Sequence, residues 1–370
     1  MKIVFLCFLA ADLYVCWRIW QILPFSVAGK TIAAVLFLIG AFIVFAGFGG
    51  MLEKLPLVWA AIVYEDGNSV LIFFLYALIA FLLLDVARVL HLVSGNLLKD
   101  SAAGSVAVFG GIMLLLAYGG FHYHHKYREE INMEAPGISA PMKIVLASDL
   151  HLGYHNRRAE LRRWVDMINS ENPDYVLFAG DLIDISVRPL IEWDYASELR
   201  RLKAPVIACL GNHEYYAQEP KSREFYARAG IRLLRDEAVR LGELTVIGRN
   251  DATDRNRAPL SEIVPSEGGF KLLLDHQPND LSEAQRCGID FQFSGHTHRG
   301  QVWPVSWVTG FIFEDPYGHM QKGRTRYYVT SGLGIWGGKF RIGTRSEYVV
   351  LTLNQTCPRS FMKESFEALL

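Results

Sequence analysis

The sequence has almost no net charge and few cysteines. Its 37 Lys and Arg residues nearly balance 38 Asp and Glu residues, which leaves a formal net charge of -1 at pH 7. Nucleic-acid-binding proteins show a basic excess, so this class is excluded and we expect no nucleic-acid partner. The 5 cysteines are widely spaced and form neither a disulfide framework nor a zinc knuckle. The sequence also lacks the G-x-S-x-G elbow of serine hydrolases and the G-x-x-x-x-G-K-[ST] loop of P-loop nucleoside triphosphatases.

Charged residues are scarce in the first third of the chain. Residues 1–120 contain six Lys or Arg and six Asp or Glu, whereas the following 250 residues contain the other 31 Lys or Arg and 32 Asp or Glu. This contrast predicts a membrane part followed by a globular part. We place a four-span transmembrane domain at residues 1–121, with a short linker to 126, and a globular domain at residues 127–370.

Four apolar runs predict the membrane-spanning helices. They cover residues 3–23, 31–48, 70–93 and 105–121. Each is long enough for a helix to cross a hydrocarbon core of roughly 30 Å. Residues 52–64 carry charges and a proline, so we expect them at the membrane interface. The first run also fits a signal peptide, but no small-residue cleavage site follows closely.

The distribution of basic residues favours a cytoplasmic globular domain in the cell membrane. With four spans, both termini lie on one side, because an even number of crossings returns the chain to its starting face. Basic residues on that side are Lys2, Lys54, Lys126 and Arg128, against Lys30 and Lys99 on the other. The unpaired Cys209, Cys287 and Cys357 agree with a reducing compartment.

Short apolar runs in the second part predict a sheet. They cover residues 143–148, 174–179, 206–210, 271–274, 290–293, 326–330 and 348–353. Between the first two, residues 157–169 have apolar side chains at helical spacing. Alternation of strands with a helix indicates an α/β fold.

A polar cluster follows each of the first five strands. The clusters contain Asp149 and His151, then Asp181 and Asp184, then Asn212, His213 and Glu214, then His276, then His296 and His298. In α/β folds, the carboxyl ends of strands form the functional site. Carboxylate, imidazole and amide groups without thiolate suit borderline divalent metals. The set exceeds one tetrahedral site and so predicts two metals that share a carboxylate.

The ordered clusters D-x-H, G-D-x-x-D, G-N-H-E, H and G-H-T-H resemble the calcineurin-like metallophosphoesterase superfamily. The strings SDLHLG and SGHTHRGQ resemble its branch of membrane-linked phosphodiesterases. The resemblance covers about residues 143–353 of the chain. It implies an α/β four-layer sandwich, in which helices flank two mixed sheets and a dinuclear centre lies at one sheet edge. The transmembrane helices precede this sandwich as an all-α bundle.

The resemblance also implies a role for each cluster residue. The first metal is assigned to Asp149, His151, Asp181 and His298, and the second to Asn212, His276 and His296, with Asp181 as the bridge. His213 is expected to protonate the leaving oxygen or stabilise its charge, while Asp184 and Glu214 orient ligands. The two divalent cations are Mn, Fe, Zn, Co or Ni, among which the sequence does not discriminate.

Two features next to the last cluster concern the substrate. Arg299 stands where the branch pattern has glycine, and it either contacts a substrate phosphate or lies in a solvated loop. Residues 302–313 are rich in Trp and Phe, and they form either a core strand or an apolar rim that meets lipid.

The sequence therefore predicts a membrane-bound, metal-dependent phosphodiesterase in which a hydroxide bridging two metals attacks phosphorus. Its substrate is a phosphoester, and the membrane part suggests a lipid-borne one. An alternative is a pyrophosphohydrolase that acts on a nucleotide-linked lipid such as UDP-diacylglucosamine. A non-enzyme alternative is a metal-bound sensor or scaffold. A transporter with a regulatory domain is less consistent with the sparse charges of the apolar runs.

Overall fold

The computed structural model describes residues 2–43 and 50–355 of the chain. They belong to two compact units. The helical unit comprises Met1–His125 and Trp336–Ile342. The second unit comprises Lys126–Ile335 and Gly343–Leu370, and we name it the catalytic unit because it contains all the site residues predicted from the sequence. Residues 44–48 of the second predicted span, and Cys357, lie outside the described residues.

The helical unit contains four long helices. They are α1 (Lys2–Ile22), α2 (Val27–Ile43), α3 (Leu57–Val89) and α4 (Ala102–His124), with single 3-10 turns at Leu52–Lys54 and Gly95–Leu98. Among the described residues, α3 and α4 are long and apolar enough to cross a membrane, and α2 is a shorter apolar helix. The structure thus supports two of the four predicted spans, and the other two remain predictions.

Helix α3 is continuous, whereas the sequence predicted a break between an interfacial segment and the third span. It continues through Gly67, Asn68 and Ser69, which lie between the segment expected at the interface (52–64) and the third predicted span (70–93). The Asn68 side chain donates a hydrogen bond to the carbonyl of Tyr64 (2.7 Å), and that of Ser69 donates to Glu65 (2.8 Å). Because both side chains bond to the preceding helical turn, they do not draw the backbone into a loop.

The long helices are antiparallel neighbours in the helical unit. The backbone N–H groups of Asp100 and Ser101, just before α4, donate to the carbonyls of Gln21 and Ile22 at the end of α1 (both 2.9 Å). Lys30, near the start of α2, forms an ion pair with Asp100. The end of α1 and the beginnings of α2 and α4 therefore lie at one end of this unit.

Residues 336–342 pack with these helices although they belong to a distant part of the sequence. The N–H group of Arg341, whose side chain is fully buried, donates to the carbonyl of Gly119 in α4 (3.0 Å). Lys339 pairs with Glu65 of α3 (3.6 Å). This contact could not be predicted from the sequence, because glycines and single charges carry no periodic pattern.

The catalytic unit contains twelve described strands and eight described helices. The strands are β1 (Lys126–Ala135), β2 (Met142–Ala147), β3 (Tyr175–Ala179), β4 (Val206–Cys209), β5 (Arg232–Leu233), β6 (Glu237–Leu241), β7 (Leu244–Gly248), β8 (Phe270–Leu274), β9 (Phe291–Ser294), β10 (Gly318–Lys322), β11 (Thr325–Val329) and β12 (Ser346–Gln355). The helices are α5 (Arg158–Ser170), α6 (Arg188–Glu192), α7 (Tyr195–Leu199), α8 (Asn212–Tyr216), α9 (Glu219–Arg228), α10 (Leu260–Ile263), α11 (Leu281–Arg286) and α12 (Val305–Ile312).

The strands form two six-stranded mixed sheets, as predicted. The first has the order β1-β12-β2-β3-β4-β5 and the second the order β10-β11-β9-β8-β7-β6. Strands β2 to β5 are mutually parallel, as are β7, β8, β9 and β11. Parallel strands direct their carboxyl ends to the same sheet edge, so the polar clusters that follow them are brought together.

Alternating residues of the strands build a four-layer core. Ile144 and Leu146 of β2 lie in the cluster between the sheets, together with Leu272 of the second sheet. Val145 and Ala147 face the helix layer that contains α5. A third cluster packs α10 and α11 on the outer face of the second sheet. The central strands β2, β3, β4, β8 and β9 are therefore buried on both faces, because successive side chains point into different layers.

Several sequence-based assignments change. Five strands were not predicted: β1, β5, β6, β7 and β10. In β1, the alternating pattern of exposed charges and buried apolar residues lies directly after the last apolar run. Residues 302–313 are not a core strand: residues 305–312 form helix α12, and most of its apolar side chains are exposed.

Candidate metal centre

All the polar clusters predicted from the sequence converge at the carboxyl ends of the parallel strands. Asp149, Asp181 and Asn212 follow β2, β3 and β4 of the first sheet. His276 and His296 follow β8 and β9 of the second sheet. The site is therefore shared by both sheets.

A first group of potential ligand atoms comes from Asp149, His151 and His298. One ligand atom of each lies within 4.8 Å of the others, and all three residues are buried. His298 Nε2 is 3.3 Å from Asp149 Oδ1 and 3.1 Å from His151 Nε2. Asp181 Oδ2 lies 3.7 Å from His151 Nε2, so the remaining predicted ligand of the first metal is adjacent.

A second group comes from Asp181, His276 and His296. These residues also offer ligand atoms within 4.8 Å of one another. His276 Nε2 lies 3.1 Å from Asp181 Oδ2, and His296 Nδ1 lies 2.8 Å from Asn212 Oδ1. Asp181 thus lies beside both groups, which is the position expected of a bridging carboxylate.

The donor atoms fit divalent cations, because electron-rich atoms face one another at short range. His276 Nδ1 lies 2.8 Å from the carbonyl of Ala179, which assigns the ring proton to Nδ1 and the lone pair to Nε2. That lone pair points at a carboxylate oxygen of Asp181. The Nε2 atoms of His151 and His298 likewise lie only 3.1 Å apart. Positive charge between these atoms, from a bound cation or a ring proton, satisfies such contacts, and borderline divalent cations suit this donor set.

The electrostatics of the site also favour positive charge. Burial works against a cation on His151, yet hydrogen bonding to Asp149 and Asp184 raises its pKa to about 10. For His276, the charge of Asp181 likewise outweighs burial and raises its pKa well above the ordinary value. Burial opposes ionisation of Asp149, but neighbouring His298 and His151 hold its pKa below its usual range. The buried carboxylates therefore remain charged and attract cations.

Asp184 orients histidines rather than belonging to either ligand group. His151 Nδ1 and His213 Nδ1 lie 3.2 and 3.3 Å from Asp184 Oδ1. Although these three residues form a third cluster with metal-ligand spacing, ring N–H groups account for the contacts. That of His151 donates to the carboxylate of Asp184, and that of His213 donates to the backbone carbonyl of Asp184 (3.3 Å). A carboxylate on the far nitrogen fixes the tautomer and the ring orientation of a ligating histidine.

His213 sits at the exposed edge of the site. Its side chain is 14% exposed, in contrast to the nearly inaccessible His151 and Asp184. The backbone N–H of His213 donates to Asp181 Oδ1 (2.9 Å). With Nδ1 engaged by Asp184, Nε2 is the ring nitrogen that a substrate could contact.

Glu214 stabilises the backbone around Asp181. Its carboxylate accepts hydrogen bonds from the N–H groups of Asp181 (3.0 Å), Ile183 (2.9 Å) and Gly211 (2.7 Å). Burial, followed by the charge of Asp181, raises the pKa of Glu214 to about 7. Its position supports the predicted orienting role, since it holds the ends of β3 and β4 in register.

The predicted ligands occupy strained backbone conformations. Positive φ angles occur at Asp149 (56°), His151 (44°), Asp181 (50°), His296 (70°) and His298 (48°). Non-glycine residues rarely adopt this region. Strain of this kind concentrates at functional sites, where surrounding contacts must compensate for it.

Sequence reasoning missed His155, for which no partner was expected. It is fully buried, with Nε2 2.6 Å from the carbonyl of Ile335 and Nδ1 3.6 Å from Asp184 Oδ2. His155 therefore links the loop after β11 to the carboxylate that orients His151 and His213. Its spacing of four residues from His151 was the available signal.

Arg299 follows His298 in the turn between β9 and α12. Its guanidinium carbon lies 4.4 Å from the ring centroid of Tyr317, and its φ is 50°. The Tyr317 hydroxyl donates to Glu347 (2.8 Å). The guanidinium is thus stacked on an anchored ring and is not a freely moving loop side chain.

Gly211 shows how closely the backbone approaches the site. A Cβ at this position would overlap Oδ1 and the backbone N of Asp181. We expect Gly211→Ala to displace Asp181 and to lower the metal content of the purified chain, measured by elemental analysis. Gly310→Ala is the control, because no atom lies within 4 Å of its Cβ position. Equal metal content in both variants would contradict this assignment.

Comparison with known proteins identifies the class to which this fold and site belong. The model of the calcineurin-like phosphoesterase family matches residues 142–300. A metallophosphoesterase of Aquifex aeolicus is 30% identical over 256 residues, which cover 65% of this chain and 97% of that protein. The chain therefore belongs to the calcineurin-like metallophosphoesterases, which are hydrolases of phosphoric esters that use two divalent metal ions.

Other relatives are matched over only part of their length, and one of them is a transmembrane protein. A metallophosphoesterase of Campylobacter jejuni is 30% identical over 239 residues, which cover 61% of this chain and 62% of that protein. This chain thus spans less than two thirds of that relative. A transmembrane protein with metallophosphoesterase domain of Danio rerio is 29% identical over 299 residues, covering 70% of this chain and 68% of that protein. Similar proteins thus include membrane proteins.

Proposed function

We propose that the chain is a membrane-bound phosphodiesterase with a dinuclear centre. In this proposal Asp149, His151, Asp181 and His298 hold one metal, and Asp181, Asn212, His276 and His296 hold the other. The main support is that Nε2 of His151, which follows a strand of the first sheet, and Nε2 of His276, which follows a strand of the second, both lie close to Asp181 Oδ2. Two bound divalent cations would supply an activated water and neutralise the charge of the phosphoryl oxygens.

His213 is the proposed general acid. Its Nδ1 donates to Asp184, so Nε2 can deliver a proton to the leaving oxygen of the ester. Asp184 and Glu214 keep His213 and Asp181 in position and contact no substrate.

Arg299 is proposed to contact an oxygen of the substrate phosphate. The stacking on Tyr317 holds the guanidinium in one position and thereby lowers the entropy lost on binding. We expect Arg299→Lys to raise KM several-fold with little change in metal content, because lysine lacks the planar fork of donors. An unchanged KM would indicate that Arg299 serves only the loop.

The helical unit is proposed to cross the membrane four times and to hold the site near lipid-borne phosphodiesters. Support comes from the antiparallel order of α1 to α4 and from the two membrane-length helices. In this arrangement Lys2, Lys54, Lys126 and Arg128, which favour a cytoplasmic catalytic unit, would lie on the side opposite Lys99. The proposed domain boundary remains at residues 121–127.

Topology tags test the four-span arrangement. Tags at the N-terminus and after Leu370 should report the same side of the membrane, and a tag at the exposed Lys99 should report the opposite side. Accessibility to an impermeant reagent in sealed vesicles and in permeabilised ones provides the measurement. Opposite sides for the two termini would mean an odd number of crossings.

A substrate panel tests the proposed reaction on the full chain. The full chain is required because residues 336–342 pack with the helices. We expect turnover of bis(p-nitrophenyl) phosphate to exceed that of p-nitrophenyl phosphate, and a lipid-borne diester to be hydrolysed in nanodiscs. Hydrolysis of UDP-diacylglucosamine alone would favour the pyrophosphohydrolase alternative. Stoichiometric metal with no turnover of any compound would favour a sensor or scaffold.

A further inference from the structure

Helix α12 has its polar and apolar faces reversed relative to a helix on a water-soluble domain. Thr309 is buried, and its hydroxyl donates to the carbonyl of Ser306 within the helix (2.9 Å). Trp307, Phe311 and Ile312 are 63, 91 and 67% exposed. A surface helix normally buries its apolar side and exposes its polar side.

The exposed apolar residues of the catalytic unit are concentrated at this helix. Among its described residues, eight large apolar side chains are exposed, and six of them lie between residues 303 and 312: Trp303, Val305, Trp307, Val308, Phe311 and Ile312. Trp303 and Trp307 lie on the same side, with ring centroids 5.4 Å apart. Contiguous exposed apolar surfaces of this kind mark interaction sites.

The position of α12 connects this surface to the metal centre. The helix begins seven residues after His298, and a Cβ at Gly300 would overlap the backbone of Val305 and Ser306. The ring of Phe313, directly after the helix, lies 5.8 Å from that of His296. These contacts place α12 beside the metal centre, so a surface that binds α12 lies next to the site.

We propose that α12 is an interfacial helix that inserts its apolar side chains into the bilayer next to the metal centre. Three observations favour lipid over a protein partner. The helix contains no charged residue that could select a partner by complementarity. Tryptophan is enriched at membrane interfaces. The same chain contains helices long enough to cross a membrane, so a bilayer lies within reach.

This inference deepens the proposed function, because a lipid headgroup at α12 would lie near the metal centre and near the guanidinium of Arg299. Amphipathic helices that lie in the interface bury their apolar side chains at the boundary of headgroups and acyl chains. The phosphate of a headgroup is at that same depth. The helix would therefore bring a lipid-borne phosphodiester to the site without extracting it.

Photocrosslinking of the full chain tests the lipid contact without requiring turnover. p-Benzoylphenylalanine replaces Phe311 in one sample and Ile191 in a control sample, since Ile191 is also exposed but lies in α6. After irradiation in phosphatidylcholine nanodiscs, mass spectrometry of the labelled peptide identifies the adduct. We expect a lipid adduct at position 311 and none above background at position 191. A probe at position 307 provides an independent measurement.

Three outcomes would overturn the proposal. They are the absence of a lipid adduct at positions 311 and 307, equal yields at positions 311 and 191, and a protein adduct at position 311. The last result would mean that a second copy of the chain or its own residues 356–370 cover the helix. None of these outcomes depends on the metal centre, so they are distinguishable from failure of the proposed reaction.

A kinetic comparison measures the consequence for catalysis. Trp307→Ala should lower kcat/KM on a lipid-borne diester by about tenfold, the size expected when a buried aromatic contact is removed from the bound state. The same variant should hydrolyse bis(p-nitrophenyl) phosphate at the wild-type rate, which also controls for folding. An equal loss on both substrates, or no loss on either, would argue against a lipid-contact role.

Discussion

Asp181→Asn should abolish nearly all turnover and release at least one metal per chain. Asp181 Oδ2 lies 3.1 Å from His276 Nε2 and 3.7 Å from His151 Nε2, so its charge is next to both ligand groups. A neutral amide bridges two dications poorly. Since each bound cation supplies several kcal/mol of charge stabilisation, we expect a loss on the order of 10³-fold or more in kcat.

The matched control for this substitution is Asp280→Asn. Asp280 is also a carboxylate with positive φ (43°), but its side chain is 61% exposed and lies in a loop before α11. The control should keep its metal content and its activity on bis(p-nitrophenyl) phosphate. Full activity with two metals per chain in Asp181→Asn would refute the bridging assignment.

His213→Gln should keep both metals and lower kcat on the order of 10²-fold, as expected when a general acid is lost. The metals should stay because His213 belongs to neither of the two ligand groups centred on Asp149 and Asp181. Glutamine preserves the backbone N–H that donates to Asp181 (2.9 Å). Elemental analysis and steady-state kinetics on the same preparation separate the two effects.

The leaving group distinguishes proton donation from other roles of His213. Nitrophenolate leaves without a proton, so the loss in His213→Gln should shrink for nitrophenyl esters and be largest for alkyl esters. In Asp184→Asn, the loss of kcat should also be larger for alkyl esters than for nitrophenyl esters, but it should be smaller than in His213→Gln. The reason is that the asparagine can still contact His213 Nδ1 but no longer carries charge. A loss that is equal for good and poor leaving groups would assign His213 to positioning.

The parallel-strand core and the ligand set could be predicted from the sequence because both depend on local patterns. Short apolar runs followed by polar clusters identified β2, β3, β4, β8 and β9 to within one residue at most boundaries. Parallel strands then require the clusters to converge. In the structure, Asp149, Asp181 and His276 accordingly lie close together. Their roles as metal ligands remain predictions, which the experiments above test.

Other features were inaccessible because tertiary contacts determine them. The sequence pattern 67–69 favours a turn, yet α3 continues because its side chains bond within the helix. Residues 302–313 have the composition of a core element, and only the structure reveals that most apolar side chains of α12 are exposed. The link between His155 and Ile335 joins positions 180 residues apart, which no local pattern encodes.

Metal titration of the full chain tests the dinuclear phosphodiesterase most directly. The chain is stripped with a chelator, its retained fold is checked by circular dichroism, and Mn²⁺ is then added in steps while hydrolysis of bis(p-nitrophenyl) phosphate is followed. We predict no turnover without metal and a rise that reaches its maximum at two equivalents per chain. Turnover by the stripped chain, or full activity at one equivalent, would contradict the account.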